Sequence, residues 1–411
     1  MRRLALTIIL LLLLPLAGRA QISIRIFART RPASIIFTAS QGGYILRDGA
    51  AADVRLNQGE VVIISRHENR VIYRTLSGTY GAADSLTFSP VSAGALFRVR
   101  APGNPEPEKT LNGMLRVKPF PGSLLVLNFA TVEECLPGVV RAEAGKLGPS
   151  HYFRAQAVVA RTYIYRNIDR HALDGYNLCD DIHCQVYPGV VTDTVIVNAC
   201  RLTAGKVLAD RDSILIEAAF HGNCGGETAS SSDVWLAGYP YLISVKDPWC
   251  SYSASSTWRK GISRAEWNSF LLLKGITPGT EGSLYSARLA GGPGGQSAGS
   301  PATGSGNRPA GSPQGAPAGG GRIAYRTVQG KTISSEDIRL RFGLRSAWFT
   351  ITAEADSIIL NGRGYGHGVG LCQDGAKHMA EKKNTFETII GFYYPGTIIT
   401  NIKNARRPPR P

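Results

Sequence analysis

The sequence predicts an α+β protein: a β-rich amino-terminal region, then a mixed α/β domain that a flexible stretch interrupts. Three observations carry this. Between Gln21 and about Pro107, short runs rich in β-branched residues ("ISIRIFA", "SIIFTA", "GEVVIISR", "LFRVR") alternate with turn residues, as successive strands do. From His151 the apolar residues fall at helical spacing, Ala157, Val158, Ala160 and Ile164 among them. From about Gly282 to Gly321 the composition collapses to Gly, Ser, Pro and Ala, which cannot build a core. The 411 residues leave room for two or three domains, and a hydrophobic content of 43% suffices for buried cores.

Residues 1–20 read as a secretory signal peptide. Arg2 and Arg3 precede the apolar run "LALTIILLLLLPLA", and Gly18 and Ala20 supply the small residues of a cleavage site. The run is short and contains Pro15, which argues against a stable transmembrane anchor. Residues 21–110 form the expected β-rich domain. Residues 111–281 open with more strand-like sequence, "NGMLRVKPFPGSLLVLNFA", pass into the helix, which Ser150 is placed to cap, and return to strand in "KVLADRDSILIEAAF". Residues 282–321 are the flexible insertion. They contain "GQSAG", a match to the serine-hydrolase elbow around Ser297, but such an elbow needs a strand before it and a helix after it, so the match is compositional. Residues 322–400 resume structured sequence, and residues 401–411, ending "NARRPPRP", read as a basic disordered tail.

The formal net charge of +16 favours a polyanionic partner. Export argues against nucleic acid and leaves an anionic envelope surface or polymer. An oxidising compartment favours disulfides, but the seven cysteines are odd in number. "HALDGYNLCDDIHCQVYPG" gathers His171, Cys179, His183 and Cys184, nitrogen and sulfur donors suited to a tetrahedral structural zinc. The same cysteines suit disulfides, with the histidines in solvent, and both readings stay open. There is no H-E-x-x-H motif, so zinc is not expected in catalysis. Finally, "NGRGYGHGVGLCQDGAKHMA" places glycine at alternate positions. That is poor strand material, and it suits a backbone passing close to a ligand or to another part of the chain. A helix burying Ala376 and Met379 is expected after it.

Three stretches, "EECLPGVVRAEAGKLGPSHYFRAQAVVARTY", "EAAFHGNCGGETASSSDVWLAGYPYLISVKDPW" and "NGRGYGHGVGLCQDGAKHMAEKKNTFETIIGFYYPGT", together resemble the SpoIID/LytB family, from about Asn112 to Thr397 with the insertion between the last two. The resemblance implies a SpoIID-like domain whose groove binds peptidoglycan glycan strands. Two activities are implied: a lytic transglycosylase preferring peptide-denuded glycan, or a non-catalytic enhancer of a cell-wall N-acetylmuramoyl-L-alanine amidase. Glu143, after a "GVV" strand-to-helix turn, is implied to be the acid/base, with no cofactor required. Ala142, Ala144 and Leu147 are expected to desolvate it and raise its pKa. Gln156 and Arg161 are implied to line the groove, Gln156 toward sugar hydroxyls or acetamides, Arg161 toward a lactyl carboxylate or Glu143. In "FHGNCGGETASSSDVW", His221, Gly225 and Gly226 are expected to approach sugar rings, Asp233 and Trp235 to line the groove or lock the loop, and Cys224 to form a disulfide with Cys250 or Cys372. His367 and Gln373 are implied to reach the glycan or Glu143. The family's Cys…His-Cys cluster favours the zinc reading. The chain departs from the family at Ala144-Gly145, where the family carries Met-Pro.

Overall fold

The computed structural model describes residues 21–49, 53–235, 237–280, 282–285 and 325–409. The expected signal peptide and nearly all of the expected insertion lie outside the described residues. The chain divides into two compact units, one of the described residues up to 138 with 168–190, the other of 139–167 with the described residues from 191 onward.

The first unit is a sandwich of two sheets. Its strands are β1 (Gln21–Ile26), β2 (Ser34–Gln41), β3 (Tyr44–Arg47), β4 (Val54–Leu56), β5 (Val61–His67), β6 (Arg70–Thr75), β7 (Tyr80–Ala83), β8 (Leu86–Pro90), β9 (Leu96–Arg100), β10 (Lys109–Asn112), β11 (Met114–Phe120), β12 (Ser123–Thr131) and β13 (Leu178–Cys179). One sheet has the order β13-β1-β12-β11-β8-β3-β4, the other β10-β9-β2-β5-β6-β7. Pairing is antiparallel except between β1 and β13. Strict alternation sets the faces: along β6, Val71, Tyr73 and Thr75 are buried while Arg70, Ile72 and Arg74 face solvent. The inner faces meet through aromatic rings, Phe37 stacking on Phe88 at 4.3 Å and on Phe97 at 5.3 Å, with Tyr44 edge-on to Phe37 at 5.4 Å. β11 and β12, expected beyond the boundary at residue 110, sit inside the first sheet. Periodicity identifies a strand but not the sheet it joins.

The second unit follows α1 (Val132–Ala144), whose last turn belongs to it. Its centre is α2 (Ser150–Arg166). Tyr152, Phe153, Ala155 through Thr162 and Ile164 are buried, as expected of a helix apolar on nearly every side. Ser150 is the first helical residue and not the cap; Pro149 holds the extended N-cap position at φ −66°, which its ring fixes in advance. Around α2 and beyond it come α3 (Thr194–Leu202), β14 (Lys206–Ala209), β15 (Phe220–His221), α4 (Ser231–Val234), β16 (Thr257–Ser263), α5 (Arg264–Leu273), α6 (Gly282–Tyr285), β17 (Tyr325–Val328), β18 (Lys331–Ser334), α7 (Ser335–Phe342), β19 (Phe349–Ala353), β20 (Ser357–Arg363), β21 (Leu371–Cys372), α8 (Gln373–Glu381), α9 (Phe386–Tyr393) and β22 (Ile398–Asn401). β20 pairs with both β16 and β19, so sequence on either side of the expected insertion closes into one sheet over Trp267, Phe270, Ile338 and Leu360. Ala376 and Met379 of α8 are buried, as the pattern predicts.

The carboxy-terminal segment departs from expectation. β22 pairs with β14, the Arg406 amide donates to Ser213, and the Arg406 carbonyl accepts from Leu215. Residues 401–406 are therefore held by backbone hydrogen bonds to a segment far upstream, which a basic composition cannot reveal. Among the described residues no helix is long and apolar enough to cross a membrane.

Candidate functional site

Glu143 lies in the last turn of α1 and not at a strand-to-helix turn. The helix begins with a reciprocal cap: Thr131 Oγ1 accepts from the Glu134 amide, and the Glu134 carboxylate accepts from the Thr131 amide at 2.7 Å. It ends where Gly145 turns into the left-handed region at φ 78°. Proline, fixed near about −65°, cannot take that conformation, so the Ala144-Gly145 departure changes the course of the chain directly after Glu143. Glu143 is half-buried, but not by the expected neighbours: Ala142 is exposed and Leu147 is 79% exposed. Its surroundings are polar. Gln373, first residue of α8, donates through Nε2 to the Glu143 carbonyl at 2.9 Å and to Gln156 Oε1 at 3.4 Å. Tyr152 donates from its hydroxyl to the Ala144 carbonyl at 3.3 Å. Burial above all, then the nearby charges of Asp374, Cys372 and Glu143, push the Tyr152 phenol up, so it remains a protonated donor.

The two helix residues expected in the groove are corrected. Gln156 is fully buried and lies behind Gln373, reached by that side chain and not by solvent. Arg161 is also fully buried; its Nη1 donates to the Lys206 carbonyl at 3.0 Å and its Nη2 to the Cys200 carbonyl at 3.2 Å. The guanidinium thus ties α2 to the start of β14 and to the negative end of α3. Thr162 adds a second tie, its hydroxyl accepting from the Leu208 amide at 2.9 Å. The motif "VVARTY" is architecture here.

The parallel pair β15–β21 aligns Phe220 with Leu371 and His221 with Cys372, which draws the glycine-rich segment alongside His221. His221 is buried, with Nδ1 3.1 Å from the Val369 carbonyl. The half-buried His367 accepts on Nδ1 from the Val369 amide at 3.1 Å, which in the neutral ring leaves the proton on Nε2. The His367 ring lies 5.7 Å from that of His221 and 5.5 Å from the half-buried Trp235. Gly364, Gly366, Gly368 and Gly370 all have positive φ, and a Cβ on Gly370 would fall 2.1 Å from the Ala219 carbonyl oxygen. The alternating glycines therefore let this backbone pass against β15. Gly225 is corrected in the same sense: its Cβ would meet Arg363 at 2.8 Å, so it serves contact of chain with chain. Gly226 has open space where its Cβ would stand. Sequence reasoning missed Tyr152, although it lies one turn before Gln156 on the same helix, and the Asn223–Asp374 pair, in which Nδ2 donates to Oδ2 at 2.9 Å.

In the first unit, His171, Cys179, His183 and Cys184 present four ligand atoms within 4.8 Å of one another. Cys184 Sγ is 3.5 Å from His171 Nε2, and His183 Nδ1 is 3.8 Å from both sulfurs. His171 turns its other nitrogen to the Asp174 carboxylate at 3.0 Å, the partner that fixes a ligand imidazole. The hydrogen bond from Cys184, together with those of His183 and His171, pushes the Cys179 thiol down from its ordinary value. Two sulfurs and two imidazole nitrogens at this spacing fit tetrahedral zinc. None of the seven thiols is joined in a disulfide. The expected bond from Cys224 is absent, its sulfur lying 3.2 Å from that of Cys250 where a disulfide requires about 2.05 Å.

The family described as Stage II sporulation protein matches residues 121–209. Stage II sporulation protein D of Bacillus subtilis is 31% identical over 285 residues, covering 66% of this chain and 74% of that protein. An uncharacterized protein of Brachyspira hyodysenteriae is 27% identical over 307 residues, covering 72% of this chain and 76% of its own length. The Amidase enhancer of Bacillus subtilis is 28% identical over 293 residues, covering 65% of this chain but 40% of the enhancer. The chain belongs to the SpoIID family.

Proposed function

We propose that this protein is exported and acts on the peptidoglycan of the cell envelope as a lytic transglycosylase, with Glu143 as acid and then base. The observation that carries the reading is the fixed setting of Glu143: a half-buried residue in the last turn of α1, with its own carbonyl held by Gln373 and the next one by Tyr152. Protonated Glu143 gives its proton to the glycosidic oxygen as the bond to the anomeric carbon breaks. The carboxylate then takes the proton of the same sugar's 6-hydroxyl as that oxygen closes on the anomeric carbon. The product is a 1,6-anhydro ring, no water is consumed, and one carboxyl suffices. Gln373, His367, Gly226 and Trp235 are the groups we assign to the glycan, the indole suiting the apolar face of a sugar ring. The exported chain, +16 less the three arginines of residues 1–20 and so +13, is held near the wall's carboxylates over the roughly 8 Å that physiological salt allows. A structural zinc on His171, Cys179, His183 and Cys184 holds the loop after β1's partner strand and takes no part in the reaction.

The second reading, a non-catalytic enhancer that binds glycan and stimulates a cell-wall amidase, is favoured by the left-handed Gly145 after Glu143 and by the name of the Amidase enhancer relative. Purified protein incubated with peptide-denuded glycan strands separates the two. Release of 1,6-anhydro fragments supports the transglycosylase. Binding without cleavage, together with faster turnover of an added amidase, supports the enhancer.

A further inference from the structure

We propose that Cys224, Asp247, Cys250 and Cys372 form a second metal site, in which one zinc ion staples together the loops of the second unit. One ligand atom from each lies within 4.8 Å of the other three. All four residues are buried, the cysteines completely and Asp247 at 1% exposure. They come from three places in the chain: the turn after β15, the loop at 247–250, and the junction of β21 with α8. The inference does not depend on the glycan reading.

The geometry favours an ion over a disulfide. Tetrahedral zinc with bonds of about 2.3 Å places its sulfurs about 3.8 Å apart. The Cys224–Cys250 separation of 3.2 Å lies nearer to that than to a covalent bond, and Cys224 Sγ is 3.1 Å from Asp247 Oδ2. Backbone amides converge on the sulfurs: Cys224 and Gly375 donate to Cys372 Sγ at 3.2 and 3.4 Å, and Gly226 donates to Cys250 Sγ at 3.1 Å. Amide donors of this kind favour thiolates. The carboxylate is fixed as outer partners fix a ligand: the Tyr393 hydroxyl donates to Oδ2 and the Trp249 amide to Oδ1, both at 2.8 Å. A Cβ at position 375 would fall 2.1 Å from the Tyr393 hydroxyl and 2.5 Å from Asp247 Oδ2, so the glycine there makes room for this arrangement. A bound cation would offset the cost of burying the Asp247 carboxylate among three sulfurs. Soft sulfur donors select zinc over magnesium or calcium. Three sulfurs and an oxygen around one point leave no room for an iron–sulfur cluster, which spreads its ligands over several irons.

Such an ion would fix His221 and Gly226 against Gln373, which begins α8 next to Cys372. The test counts zinc by native mass spectrometry on the full chain, exported from its host and purified without chelator, and maps disulfides in an unreduced digest. The wild type is expected to hold two ions, and Cys184→Ser and Cys250→Ser one each. A single ion that survives Cys184→Ser but is lost in Cys250→Ser also upholds the site. The proposal is overturned by a single ion that Cys184→Ser abolishes, by a wild type without zinc, or by a Cys224–Cys250 or Cys224–Cys372 disulfide in the digest. The wild-type count and digest decide the matter even if Cys250→Ser does not fold.

Discussion

Arg161→Ala separates an architectural arginine from a ligand-binding one. The substitution removes the charged-donor hydrogen bonds to the Lys206 and Cys200 carbonyls and leaves a void in α2's packing. The Cys200 carbonyl keeps the Thr203 amide and hydroxyl as donors at 3.2 Å, so the loss falls mainly on the Lys206 carbonyl and the cavity. Hydrogen bonds from a charged donor contribute about 1.5–3 kcal/mol each, and the combined cost is about 3–4 kcal/mol. For a unit of about 150–250 residues, that lowers the melting temperature by about 6–16 °C. Arg161→Lys, whose single ammonium cannot serve both carbonyls as a planar fork does, should fall between. The assay is a thermal melt beside retention on denuded glycan, measured well below the melting point of each variant. The expected result is a lower melting temperature with unchanged retention by the folded fraction. An unchanged melting temperature with lost retention would refute the architectural role and return Arg161 to the groove.

Other perturbations probe separate features. Gly370→Ala forces a side chain into a left-handed position and against the Ala219 carbonyl, and should cost at least about 2 kcal/mol in a urea titration; an unaltered midpoint would contradict the close approach of the glycine-rich segment to β15. Gln373→Ala should lower kcat about ten- to a hundredfold through misplacement of Glu143 and raise KM through the lost glycan contact, and it should lower the melting temperature by a few degrees because fully buried Gln156 loses its donor; full turnover would show that the amide does not position the acid. Cys184→Ser should lose one zinc ion per chain and melt earlier than wild type, and a wild-type Cys179–Cys184 disulfide would contradict the zinc assignment.

Particular residues show how far the sequence could be read. The strand runs of the first unit were legible because period-two alternation directly reflects a half-buried sheet, as in β6. The clustering of His171, Cys179, His183 and Cys184 was legible because the four are close in sequence, and the fold brings their ligand atoms together. Arg161 and Gln156 were misjudged because a helix buried on almost every side gives no polar stripe by which to tell a groove from a core. Residues 401–406 were misjudged because the strand that orders them is distant in the chain. The second sulfur cluster shows the same limit, since Cys224, Cys250 and Cys372 meet only after β15 pairs with β21. Glu143 was singled out through its motif, and Gln373 and Gly145 were named from the sequence as well, but the Tyr152 hydroxyl on the Ala144 carbonyl emerges only from the geometry.

The most direct measurement compares wild type with Glu143→Gln on peptide-denuded glycan strands, with the products identified by mass spectrometry. The substitution keeps the size of the side chain and removes its acidic proton, a loss that typically costs two to four powers of ten, about 10²–10⁴ in rate. The account predicts fragments with 1,6-anhydro ends from the wild type, none above background from Glu143→Gln, and equal glycan binding by both proteins. Undiminished cleavage by Glu143→Gln, or reducing ends in place of anhydro ends, would contradict it.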